Sequence, residues 1–168
     1  SISEEQPHHG PKPYILPEFN TCGFNFRMTD IQAALGLSQL KRLDSLVARR
    51  QGNAGFLSER LRDVEGITTP YIPDEAEYSY NQYSILLSGI QAKKRREEFR
   101  DGLRKRGIET AIYYSCPLHL QPVFAESPQP YLPVSEDLSN RIVSLPVHPG
   151  LRAMDLRRIT AAVRDLVS

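Results

Sequence analysis

Asn25 and Arg27 stand two residues apart in Cys22-Gly23-Phe24-Asn25-Phe26-Arg27-Met28-Thr29-Asp30, immediately before a helical pattern. An amide donor and a guanidinium placed there can hold a phosphate or carboxylate, the guanidinium bidentately. The start of a helix adds unpaired amides and the positive end of the helix dipole. The bland alternative is an ordinary turn, with Asn25 satisfying the backbone and Arg27 paired to a surface acid. Residue types alone leave both open. Tyr113, Tyr114 and His119 form a second group across a strand end and the loop after it. Two phenols and an imidazole suit a polyhydroxylated ligand, or His119 could shuttle protons. Amphipathic rings packed at a sheet edge account for the same residues equally well. Cys116 and His119 have the spacing of a metal-ligand pair, but no second pair lies nearby, so no metal site is expected. Cys116 as a nucleophile lacks a base and an orienting acid. Lys93-Lys94-Arg95-Arg96, with Arg100, Arg104, Lys105 and Arg106, is the most basic stretch, and Glu97, Glu98, Asp101 and Glu109 offset it. Ion pairing along a solvated helix face explains it better than phosphate-backbone binding.

The elements that would position these groups follow from periodicity. Pro7, Pro11, Pro13 and Pro17 argue against regular structure over 1–22, which reads as a linker or loop. Thr29-Asp30-Ile31-Gln32 matches a capping box. Behind it Ile31, Ala34, Leu35, Leu37, Leu40, Leu43, Leu46 and Val47 recur at helical spacing, and the pattern resumes at Ala54, Leu57 and Leu61. One long helix over about 29–62 is expected, with Gly52 the place where it would bend. Gln82 to Leu87 reads as a strand and 93–106 as a helix with Phe99 and Leu103 inward, closed by Gly107. Ile108 to Ser115 reads as a second strand, giving a strand–helix–strand unit in one sheet. A loop-rich stretch runs from Pro117 to Pro133. A short helix follows from Ser135 to about Val143, and an amphipathic helix from Asp155 to Val167. The expected class is α+β with helix predominating, divided as 1–22, 23–63 and 64–168.

At 168 residues the chain suffices for one domain with a real core. A net charge of +1 excludes a strong general attraction to nucleic acid or anionic membrane. Cys22 and Cys116, without CxxC spacing, read as free thiols in a reducing compartment. No apolar run reaches the roughly 20 residues of a membrane helix, and the cytoplasm is the default address. The chain opens on serine with a polar, proline-broken stretch, which is suggestive of truncation, although processing of an initiator methionine explains the serine equally well.

The segment Gly23-Phe24-Asn25-Phe26-Arg27-Met28-Thr29-Asp30-Ile31-Gln32-Ala33-Ala34-Leu35-Gly36-Leu37-Ser38-Gln39-Leu40 resembles the G-x-N-x-R-M-x-x-x-Q-A-A-x-G-x-x-Q-L stretch of the DegT/DnrJ/EryC1/StrS aminotransferases. Arg49-Arg50 to Asn53-Ala54, Gly107-Ile108-Glu109-Thr110, Tyr113-Tyr114, Pro117-Leu118-His119-Leu120-Gln121-Pro122, Leu132-Pro133, Ser144-Leu145-Pro146 and His148-Pro149 continue it in order over 23–168. The resemblance implies the small C-terminal domain of a fold-type-I pyridoxal-phosphate enzyme, joined by a long helix to a cofactor domain. It implies a homodimer with active sites at the interface, moving an amino group, often from glutamate, to a nucleotide-linked keto sugar. On that resemblance Asn25 would reach the cofactor phosphate of the neighbouring subunit with Arg27 beside it, and His119 and Tyr114 would face the sugar. Tyr113 departs from the family, which has histidine there. The Schiff-base lysine and the aspartate pairing the pyridine nitrogen lie upstream in the family, and Lys12, Lys41, Lys93, Lys94 and Lys105 match no such motif. No catalytic residue is therefore assigned, and the chain alone is expected not to transaminate. Two other readings remain. One is an interaction module exposing Leu35, Leu40, Leu43 and Leu46. The other is a nucleic-acid binder using 93–106 and the strand tyrosines.

Overall fold

A computed structural model describes residues 14–15, 19, 21–89 and 92–167, without the side chains of 14, 15 and 92. Most of the linker expected over 1–22 lies outside the described residues. Within that stretch Tyr14–Ile15 forms a short strand, β1, where no regular structure is expected. The remaining elements are α1 (Asp30–Leu40), α2 (Leu43–Leu61), β2 (Ile67–Thr68), β3 (Tyr83–Leu87), α3 (Ala92–Lys105), β4 (Ala111–Ile112), α4 (Pro133–Arg141), β5 (Ile142–Leu145) and α5 (Ala153–Val167). The class is α+β, as expected.

The sheet has strand order β1-β4-β5-β3-β2, with β1 and β4 parallel and the other pairs antiparallel. The expected strand–helix–strand unit exists, but β3 and β4 are not neighbours, because β5 runs antiparallel between them. The short helix is expected to run to about Val143. In fact α4 ends at Arg141, and Ile142, at φ −74° and ψ 134°, turns at once into the central strand. Alternation along β3 buries Tyr83, Ile85 and Leu87 on one face. On the other face the Ser84 and Ser144 hydroxyls share a hydrogen bond of 2.7 Å. Helices α2, α3 and α5 close the core with Leu57, Leu61, Phe99, Leu103, Ile159 and Val163.

The long helix also differs from expectation. It breaks at Lys41-Arg42, between the two helices, with Arg42 at φ −113° and ψ 0° as the N-cap of α2. The Arg42 carbonyl still accepts from the Leu46 N–H and the Ser45 hydroxyl, so α2 starts afresh from that residue. Gly52 sits inside α2 without ending it. The two halves differ in burial. Helix α1 buries no residue, whereas α2 buries Ala54, Leu57 and Leu61. Two further side chains tie α2 to neighbouring backbone. The Arg50 guanidinium donates to the Tyr80 and Asn81 carbonyls, and the Asn53 amide to the Val147 and His148 carbonyls. Tyr80 has a left-handed φ of 48°.

The charged helix α3 is not simply solvated. Arg96 and Arg100 are 2% and 1% exposed, against the expectation of an ion-paired outer face. Glu97 bridges both guanidiniums at 3.0 and 2.8 Å, and Arg96 also donates to the Ser139 carbonyl on α4. Burial pulls the Arg100 guanidinium below its usual range, and the Glu97 carboxylate counters it. At the end of α3 the Ile108 and Gly107 amides bond back to the Leu103 and Arg104 carbonyls, which requires Gly107 at φ 70°.

Candidate functional site

Two 3₁₀ turns, Leu118–Leu120 and Pro122–Phe124, follow β4 and face α4. Prolines at 117 and 122 fix φ and remove donors, which favours such short turns over a continued strand. Gln121 stitches the loop together. Its buried amide donates to the Cys116 carbonyl and accepts from the Phe19 N–H, both at 3.2 Å. Between these turns and α4 lies an apolar-walled cavity of about 640 Å³, with Tyr114, His119, Phe124, Leu132, Leu138 and Ser139 in its lining. The structure thus brings Tyr114 and His119 to one place. Tyr113, one residue before Tyr114, does not line it.

His119 is 11% exposed in its side chain, and its Nε2 lies 3.2 Å from Glu136 Oε1. The same oxygen accepts from the Leu132 N–H at 3.2 Å, at the start of α4. Sequence reasoning missed Glu136, which it saw only as part of a helix start. The signal available was an acid in the first turn of the helix that follows the histidine's loop.

Asn25 and Arg27 lie elsewhere. Both are exposed, as are Phe24, Phe26 and Met28 around them, and the cavity takes no residue from 21–40. Among the described residues neither Asn25 nor Arg27 makes a side-chain hydrogen bond. Thr29 caps α1 as expected: the Gln32 N–H donates to the Thr29 hydroxyl, and the Thr29 N–H donates to Gln32 Oε1. That box corrects one expectation. It satisfies two of the amides that an anion would have used, and Asp30 adds a like charge in the first turn. The Asn25 and Arg27 side chains, both exposed, take no part in that box.

The family model of the DegT/DnrJ/EryC1/StrS aminotransferases matches residues 7–164. The chain belongs to that family. The spore coat polysaccharide biosynthesis protein SpsC of Bacillus subtilis is 30% identical over 154 residues, covering 89% of this chain and 39% of the relative. GDP-perosamine synthase of Caulobacter vibrioides is 32% identical over 150 residues, covering 89% and 40%. The crystal structure of DesV from S. venezuelae, in complex with a ketimine intermediate, superposes with TM-score 0.77 at 31% identity, covering 88% of this chain and 39% of that one. The chain therefore spans about 40% of the length of the curated relatives it matches.

The family is pyridoxal-phosphate-dependent. Its cofactor needs a phosphate cradle and a Schiff-base lysine. Asn25 and Arg27 are donors of the kind a phosphate cradle uses, exposed on one segment. Lys41, Lys93, Lys94 and Lys105 are exposed and none lines the cavity, and Lys12 lies outside the described residues. Among the described residues no group of three His, Cys, Asp or Glu is placed to hold a metal ion, and no helix is long and apolar enough to cross a membrane.

Proposed function

We propose that residues 23–168 are the C-terminal part of a pyridoxal-phosphate-dependent aminotransferase. It would carry an amino group, from glutamate, to a nucleotide-linked keto sugar in polysaccharide, lipopolysaccharide or antibiotic-sugar biosynthesis. One observation carries this: two groups of ligand-binding character sit apart on the chain, one exposed and one at a cavity, and neither includes a lysine. A homodimer with the active site at its interface would bring Asn25 and Arg27 of one subunit to the cofactor phosphate of the other, and His119 and Tyr114 to the sugar. Residues 23–63 are the active-site loop and interdomain helix in this reading, and 64–168 the small domain. An upstream domain would supply the lysine. The cofactor, when bound, would supply the electron sink for the proton shift. This chain's residues bind and orient, and the chain alone does not transaminate. We place the enzyme in the cytoplasm.

In the complete enzyme, His119→Ala is expected to lower kcat/KM for the keto sugar about tenfold, the equivalent of one hydrogen bond at about 1.4 kcal/mol, with cofactor retention unchanged. An unaffected sugar kcat/KM would remove His119 from the site.

A non-catalytic interaction module derived from the same domain is the second reading. Leu35, Leu40 and Leu43 of the expected face, with Leu37 beside them, are each between 46% and 65% exposed and favour it, whereas Leu46 is half-buried and drops out of that face. Sedimentation separates the two. A concentration-dependent oligomer of the chain alone supports the module, and activity restored by the lysine-bearing half supports the enzyme.

A further inference from the structure

We propose that Glu136 is a positioning residue that holds His119 with its proton on Nε2, so that Nδ1 meets the cavity as an acceptor and selects a donor, a sugar hydroxyl, on the ligand. An ionised carboxylate only accepts hydrogen bonds, so the ring nitrogen 3.2 Å from Glu136 Oε1 is the one that donates. In a neutral imidazole the other nitrogen is then bare. Glu136 does not depend on His119 for its own place. Its Oε1 also accepts from the Leu132 N–H at 3.2 Å, and it stands in the first turn of α4, where the helix dipole favours negative charge. His119 is fixed from its own side by the 3₁₀ turn, where the Leu120 N–H bonds to the Pro117 carbonyl at 3.0 Å.

The consequence lies in what the cavity can recognise. Its walls are largely proline, leucine and phenylalanine, and a few polar groups must set a ligand's orientation. The hydroxyls of Tyr114, Ser127 and Ser135 in the lining can each donate or accept, whereas Ser139 already gives its proton to the Glu136 carbonyl at 2.8 Å. The bare nitrogen of His119 can only accept. It therefore favours a hydroxyl over a keto oxygen at that point, while the apolar walls suit the C–H face of a sugar ring. The choice of a sugar rests on the proposed function; the tautomer does not.

Ring ¹⁵N shifts of the 168-residue chain, recorded without substrate, test this directly. The spectra would be taken at about pH 9, well above the ordinary imidazole value of about 6.5. The His119 signal is assigned by its loss in His119→Gln. Wild type is expected to show the pattern of a proton on Nε2, and Glu136→Ala to move His119 to a mixture of tautomers with the other histidine signals unmoved. A wild-type proton on Nδ1, or a His119 pattern unchanged in Glu136→Ala, overturns the proposal. The wild-type reading stands even where the variant does not fold. Because no substrate is present, this test can fail while the sugar-site reading survives, and the reverse holds for the turnover of His119→Ala.

Discussion

Leu57 and Leu35 belong to one periodic stripe in the sequence, yet the structure gives them opposite surroundings: Leu57 is 0% exposed and Leu35 64%. Truncating each to alanine in the 168-residue chain should separate them clearly. For Leu57 the lost transfer free energy and the cavity left between α2 and the sheet together cost about 2–5 kcal/mol. For Leu35 only about a third of the side chain is covered, so the transfer loss is below about 1 kcal/mol, and alanine's slightly better helix propensity offsets part of it. Urea unfolding of a domain this size has an m-value of about 2 kcal/mol/M. The midpoint should therefore fall by about 1–2.5 M for Leu57→Ala and by less than about 0.5 M for Leu35→Ala, with m unchanged in both. In a complete enzyme, where a cofactor domain or second subunit covers α1, Leu35→Ala should become as costly as Leu57→Ala. Equal losses in the isolated chain would refute the reasoning, because they would mean that α1 is already packed within this domain.

Three further outcomes follow from the structure. Burial pushes the Tyr83 hydroxyl up to about 12, and its hydrogen bond to Ser58 at 2.9 Å opposes the rise. The folded state thus keeps a proton that the unfolded chain loses near 10, so this contribution is complete below pH 10 and shrinks by about 2–3 kcal/mol as pH climbs toward 12. Urea midpoints of Tyr83→Phe should lack that alkaline decline relative to wild type, and parallel declines would contradict it. In Gly102→Ala the new Cβ would lie 2.5 Å from Leu166 Cδ2 where α3 meets α5. Displacing that side chain should outweigh the helix-propensity gain and lower stability by about 1 kcal/mol, and a raised melting temperature would show that α5 yields freely. In the complete enzyme, Asn25→Ala should speed cofactor dissociation about tenfold, for one lost charge-assisted hydrogen bond of about 1.5 kcal/mol or more, and an unchanged rate would displace Asn25 from the phosphate.

Much of this was legible in the sequence, for physical reasons that differ from place to place. The Thr29–Gln32 capping box is local, and it formed as read. Helix α5 carries a clean amphipathic period and matched to within two residues of its expected start. Strand β5 was not legible, because Ile142-Val143-Ser144-Leu145 is as compatible with a helix end as with a strand until β3 and β4 pair with it. Burial of Arg96 and Arg100 was equally hidden, since it depends on α4 and the sheet packing over a helix whose composition looks solvated. At the site, Tyr114 and His119 could be named as a pair, but Glu136 could not be linked to His119 across 17 residues of loop and helix start. Asn25 and Arg27 lie on an exposed segment ahead of α1, as the sequence order implies.

The measurement that tests the central claim most directly is the gene sequence immediately upstream of the codon for Ser1. The account predicts an open frame that continues upstream and encodes a cofactor domain with a Schiff-base lysine. A frame that closes directly ahead of Ser1, with no lysine-bearing domain encoded beside it, would contradict the account and leave the interaction module as the protein's role.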